Sequence, residues 1–398
     1  MTTDRFAEAE AEADATVARL KQELAALTRA YSPGHHGLWA ARRRAGIVDG
    51  ALTQLYARAA TRAPRTALAA LGGYGRGALA PASDVDVLLL HDDAPADEIA
   101  GLAERLLYPL WDAGFAVGHA VRTPSESLTV ASDRLDALTA TLDARLLAGD
   151  EELFRAAVDP SRRMVRDDPD GFAERLGDAA VERRERFGSA ASLLEPELRD
   201  GGGGLRDLAS FGWLEVAVGP LEDVGLLRAR EREALGAAEE FLTRARSALH
   251  LETGRRTDRL VLEHQPSIAR EMGFVDEPGL IAEDGLMRAL FEHARLVDWL
   301  ADDLLIGRRR GSSEPALIAG PTDVVGALTM LRGGERTPSS AELDAAEAMA
   351  LPERVDWTDE LRDEFLALLR SPHGPRAIEV LDHVGIWPRL IPEWRDVR

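Results

Sequence analysis

The run Leu71-Gly-Gly-Tyr-Gly-Arg-Gly-Ala-Leu-Ala-Pro-Ala-Ser-Asp-Val-Asp-Val-Leu-Leu-Leu90 constrains this chain more than any other segment. A glycine-rich turn leads through Ser83 into two carboxylates, Asp84 and Asp86, at the head of an apolar stretch. Strand side chains alternate faces, so Asp84 and Asp86 point the same way. Two carboxylates side by side repel, and a divalent cation relieves the repulsion. Magnesium suits such a pair, because it takes oxygen ligands and keeps waters exchangeable for phosphate oxygens; manganese is the alternative. Gly72 and Gly73 lack side chains, so their backbone amides can approach an anion closely. Together these parts describe a site for a metal-bound nucleoside triphosphate.

The run resembles the signature of the DNA polymerase β-like nucleotidyltransferases, a Gly-[Gly/Ser] turn followed by Asp-x-Asp. It is closer to the bifunctional family that adds and removes uridylyl groups on the PII nitrogen-signalling protein. Arg76, Pro81 and Ser83 stand in register with that family's pattern. Ala78 stands where the family has Glu, so any role of that carboxylate is not carried here. The resemblance implies an α+β fold: a small mixed-sheet palm with flanking helices, followed by a mostly helical domain. It also implies transfer of UMP from UTP, or AMP from ATP, to a tyrosine of a PII-type protein, with release of pyrophosphate.

A second element fits the same family. Glu197-Leu-Arg-Asp-Gly-Gly-Gly-Gly-Leu-Arg-Asp207 interrupts a region that otherwise reads as helical. Four glycines do not sit stably inside a helix. A flexible linker is one reading. The other places Gly201–Gly204 against the palm, with a helix starting near Asp207 and Arg206 adding positive charge for the nucleotide. Further resemblances follow in order: Leu249 to Arg255, Asp258 with Leu260, Gln265 with Ala269, Met287-Arg288, and Phe291 to Arg295. Gly385 to Trp394 resembles the segment that precedes the family's HD phosphohydrolase domain, and the HD and ACT domains are expected to be absent.

The expected organisation is an N-terminal helical segment over 1–60, a palm over 61–150, a helical domain over 151–310, and a C-terminal helical segment over 311–398. Helices are expected from about 4 to 30, over Asp49–Ala60 and over Pro95–Trp111, where Ile99, Leu102, Leu106, Leu107 and Leu110 share one face. Strands are expected over Thr66–Leu71, Asp84–Leu90 and Phe115–Val121. Gly307–Glu314 reads as an exposed loop, and His91-Asp92 as surface.

With 398 residues, 45% hydrophobic and 29% charged, the chain has the composition of a soluble globular protein. No apolar run reaches the ~18 residues of a membrane span. Without cysteine, thiolate metal sites are excluded, and a cytoplasmic location is the default expectation. The net charge of −21 argues against a nucleic-acid acceptor, whose phosphates this chain would on average repel. Lys21 is the only lysine, so cations for a triphosphate must be arginines.

Asp84 and Asp86 are therefore the expected catalytic and metal-binding residues, with Gly72, Gly73, Arg76, Ser83 and Arg206 holding the nucleotide. Superfamily members usually carry a third carboxylate on a neighbouring strand. Here that strand, Val117 to Arg122, has no acid. Asp143 is the alternative third ligand, although it reads as part of a helix. His119 is a second candidate, set against its being a hydrogen-bonded core histidine. Two other readings compete with the protein-modifying one: a small-molecule nucleotidyltransferase, and a catalytically silent nucleotide-binding regulator.

Overall fold

The computed structural model describes residues 2–31, 36–60, 64–306, 323–333, 340–349, 351–352 and 355–394. Two helices open the chain, α1 (Thr2–Ala30) and α2 (Gly37–Ala59). The second starts twelve residues before Asp49, where the sequence places it. Its first turn has no side-chain cap of its own. Glu240, 202 residues further along, accepts the Leu38 amide at 2.8 Å and also the Gly37 amide. A long-range cap of this kind leaves no local signature.

The sheet comprises β1 (Thr66–Ala70), β2 (Val85–His91), β3 (Val117–Arg122) and β4 (Arg145–Gly149), in the order β3-β2-β1-β4. Strand β1 runs antiparallel to β2 and β4, whereas β2 and β3 are parallel. Between β1 and β2 lies a single helical turn, α3 (Gly72–Gly75); α4 (Ala96–Asp112) makes the parallel crossover. All five apolar residues expected on one face of α4 are its buried residues. Helices α5 (Pro124–Asp133) and α6 (Leu135–Leu142) precede β4.

Strand β4 is a correction, since the sequence reads as helical beyond about residue 125. Its five residues are short of a periodic signal, and its place is set by pairing with β1. Asp143 is accordingly the residue that ends α6, not one within a helix.

Both faces of the sheet are covered. Leu68, Val85, Val87 and Leu89 pack with residues of α1, α2 and α4. Ala67, Ala69, Leu88 and Leu90 pack with Leu153 and Ala157 of α7 (Glu151–Asp167). Burial on both sides explains the unbroken apolar run of β2. The one polar position inside it that opens to solvent is Asp86.

The remainder is helical: α8 (Pro169–Phe187), α9 (Leu205–Val218), α10 (Ala229–Thr253), α11 (Gln265–Glu271) and α12 (Ala282–Ala301). They are followed by α13 (Val324–Gly333), α14 (Ser340–Glu347), α15 (Asp359–Arg370), α16 (Gly374–His383) and α17 (Trp387–Leu390). The α+β class, a small mixed sheet followed by helices, is as the sequence implies. No described helix is long and apolar enough to cross a membrane. Gly307–Glu314 lies outside the described residues.

The tetraglycine element is buried throughout. Gly203 has a φ of +76°, and a Cβ there would overlap the Ala294 carbonyl on α12. At Gly202 a Cβ would lie 2.8 Å from the Asp298 carboxylate and 2.9 Å from Arg184. The linker reading therefore fails. The placement against the palm also needs correction, because these glycines pack on α12 and α8 within the helical region. Helix α9 starts at Leu205, with Gly204 as its N-cap. Asp207, in its first turn and 2% exposed, accepts the Gly203 amide at 2.9 Å and pairs with Arg183 at 2.5 Å.

Candidate active site

A cleft of about 400 Å3 opens between the sheet and the helices. One wall is the segment after β1, with Gly73, Arg76, Ser83, Asp84 and Asp86. Facing it are Arg199 and Arg206 from the tetraglycine element, Trp213 from α9, and Glu239 and Arg246 from α10. Of the nine candidate residues named in the sequence, seven line this cleft, Gly72 and His119 being the others. Gly72 begins the single turn α3 with a φ of +52°. The turn has no side-chain cap, and the first amides of a helix have no intrahelical partner.

Asp84 precedes β2 and Asp86 lies within it, on the same side of the strand. Enclosure by the cleft pushes the Asp86 carboxyl above its ordinary range, and the Asp84 charge adds to the rise. No described group hydrogen-bonds to the Asp86 carboxylate. Asp84 pairs with Arg256, from the loop after α10. The sequence reading passed over Arg256; only its neighbours Arg255 and Asp258 drew notice.

The strand register accounts for the missing acid on β3. Gly118 stands beside Asp86, and a Cβ at that position would overlap the Asp86 carboxylate. Any third acid there is sterically shut out. His119 is paired with Val87 and so belongs to the opposite face of the sheet. Exposed, and with its ring set edge-on to Trp111 at 5.3 Å, it is neither a cleft residue nor a buried core histidine. His91-Asp92 meets expectation in part: Asp92 is exposed, while His91 is half-buried with Nδ1 accepting the Ala94 amide.

The Asp143 side chain is covered, at 6% exposure, and is not part of a surface pair. One carboxylate oxygen takes the Trp213 indole N–H at 2.9 Å and the other pairs with Arg76. Burial pushes this carboxyl up, against the pull of Arg76 and Trp213. Arg76 and Arg206 both lie over the Trp213 ring, at 5.7 and 5.8 Å from its centroid. Arg206 also pairs with Asp200 at 3.2 Å. Burial, then the nearby Arg199, lowers the Arg206 guanidinium from its usual value. Arg76, Arg199 and Arg206 thus gather positive charge along one side of the cleft.

The residues suit a hard divalent cation. Asp84 and Asp86 offer two oxygen donors on one side of the strand, and at Asp86 Arg256 and Arg199 offset their mutual repulsion only in part. Magnesium commonly takes one or two carboxylates and completes its shell with water and phosphate oxygens. Among the described residues, no group of three or more His, Asp or Glu side chains is arranged to hold a metal by itself. For Asp143 to serve as third ligand, it would have to give up Arg76 and Trp213.

The family model described as GlnD PII-uridylyltransferase matches residues 171–305. The chain is 34% identical over 402 aligned residues to a bifunctional uridylyltransferase/uridylyl-removing enzyme of Streptomyces coelicolor, covering 90% of this chain and 46% of that protein. An enzyme of the same description from Mycobacterium tuberculosis is 34% identical, covering 83% of this chain and 44% of its own length. One from Xanthomonas campestris is 32% identical, with 89% and 44% covered. The chain thus spans about half the length of the curated relatives it matches. Over most of its own length the chain is similar to bifunctional uridylyltransferase/uridylyl-removing enzymes, and over residues 171–305 to the PII-uridylyltransferase family model.

Proposed function

We propose that this chain is a metal-dependent nucleotidyltransferase. It transfers UMP from UTP to a tyrosine of a PII-type signalling protein and releases pyrophosphate, in the cytoplasm. The observation that carries the reading is the pairing of Asp84 and Asp86 with an arginine cluster across one cleft. Nucleotidyl transfer is mostly positioning and charge neutralisation, which this arrangement supplies.

Asp84 and Asp86 would hold magnesium, whose charge would neutralise the triphosphate and polarise the reacting phosphorus. Arg76, Arg199 and Arg206 bind the polyphosphate. The Gly73 amide and the Ser83 hydroxyl add hydrogen bonds. Asp143 acts through Arg76, which it holds in place. The phenol of the acceptor tyrosine, with a pKa of ~10, must give up its proton, and Asp86 is the carboxylate assigned to take it.

The test is incubation with a PII-type protein and a mixture of the four triphosphates, followed by intact-mass analysis. Added UMP supports the proposal, whereas added AMP would change the donor to ATP. No added mass, with nucleotide still bound, would favour the silent regulator.

A further inference from the structure

His250 is buried on α10, at 1% exposure, yet it reaches the segment that carries the two carboxylates. Its Nδ1 accepts the backbone N–H of Ala82 at 3.2 Å, two residues before Asp84. Its Nε2 lies 3.2 Å from the Asp258 carboxylate. Nδ1 must therefore be bare and Nε2 protonated. Burial lowers the imidazole from its usual value, in keeping with a neutral ring.

Asp258 is itself held from two other directions. Arg246 donates to its carboxylate at 2.6 Å, and its backbone carbonyl accepts the Leu198 amide at 2.7 Å. Leu198 adjoins Arg199, which lines the arginine side of the cleft. Two residues before Asp258, Arg256 pairs with Asp84. The pair His250–Asp258 thus stands at a junction of three parts: the carboxylate segment, helix α10 and the arginine-bearing element.

We propose that His250 and Asp258 are positioning residues, which set the Ser83–Asp84–Asp86 segment at a fixed place relative to Arg199 and Arg206. The inference rests on the nucleotidyltransferase reading for its chemistry, but its geometry stands apart from that reading. An ordinary core histidine would need its ring nitrogens satisfied by any partners, not by the carboxylate segment. A positioning histidine needs an acceptor at Nδ1, because that atom takes the hydrogen bond from the carboxylate segment.

Asparagine and glutamine separate the two roles. The amide oxygen of His250→Asn can stand near the place of Nδ1 and accept the Ala82 N–H. The amide nitrogen of His250→Gln reaches instead toward the place of Nε2 and Asp258. The three readouts are Mn2+ affinity by electron paramagnetic resonance, kcat and KM for UTP with a PII-type acceptor, and the melting temperature. His250→Gln should weaken Mn2+ binding and lower kcat by about 10–100-fold, as loss of a group supporting metal ligands does. KM for UTP should move by less than about threefold. His250→Asn should recover most of both at a melting temperature matching that of the Gln variant. Equal losses in both variants at matched melting temperatures would overturn the proposal, as would a wild-type-like His250→Gln.

The 15N imidazole spectrum of the unaltered chain is a check that needs no substitution to fold. It should show the Nε2–H tautomer for His250, and an Nδ1–H tautomer would refute the assignment. If the wild-type chain modifies no PII-type protein but Mn2+ affinity still follows the order wild type, Asn, Gln, the positioning role stands and the functional proposal falls.

Discussion

Both glycine-rich segments of this chain contain a left-handed glycine, Gly72 at +52° and Gly203 at +76°, but their surroundings differ. Around Gly72 nothing lies within 4 Å of where a Cβ would stand. Around Gly203 the Ala294 carbonyl already occupies that place. The first segment turns the backbone at the edge of the cleft, with open space at Gly72. The second is an internal joint, with backbone packed on backbone between α8, α9 and α12. Similar composition thus serves two physical ends. Gly72 meets open space, although Gly75 in the same turn packs against the Asp143 carbonyl; the tetraglycine run removes side chains so that helices can meet. The second still reaches the site, because the arginines beside its glycines, Arg199 and Arg206, project into the cleft.

The largest expected effect tests the buried segment. Gly203→Val adds a branched side chain where φ is positive and a carbonyl blocks the Cβ. Destabilisation should exceed about 4 kcal/mol, the range reserved for severe core defects. Urea unfolding measures it, and a variant as stable as wild type would show that the joint is not closely packed.

Next comes the chemistry at the open segment. Asp84→Asn and Asp86→Asn should each cut transfer by about 100-fold or more, since each removes a charge that the proposed metal site needs. The fold should survive, because Asp86 is open to solvent and Asp84 is partly so. Near-wild-type turnover of Asp86→Asn would place the active site elsewhere.

A smaller effect links the two segments. Arg206→Ala removes one cation facing the triphosphate and should weaken UTP binding by about tenfold, the worth of one charge-assisted hydrogen bond. Titration calorimetry decides it. Unchanged affinity would remove Arg206 from the phosphate-binding set.

The smallest effect is expected at Gly72→Ala. An alanine in the left-handed region costs about 1–2 kcal/mol, with no clash added to it. A shift in urea midpoint of that size, far below the one at Gly203, would sustain the contrast. Equal shifts would abolish it.

Much of this molecule was legible in its sequence. Helix α4 shows its buried face through apolar spacing, and β1 and β2 show themselves as short apolar runs flanking glycine. The paired carboxylates, Arg76 and Ser83 follow from residue type and order. These are local properties: a period, a turn, two like charges two residues apart. Strand β4 and the early start of α2 were not legible, because one depends on pairing with β1 and the other on a cap from Glu240. The burial of the Asp143 side chain, the pairing of Arg256 with Asp84 and the reach of His250 to Ala82 join residues between 67 and 172 positions apart. The glycines, carboxylates and arginines were thus present in the one-dimensional record as ingredients. Only folding could decide which glycine faces open space, which meets a carbonyl, and which arginine stands opposite the carboxylates. Steric exclusion and charge pairing act through space and leave no period in the sequence.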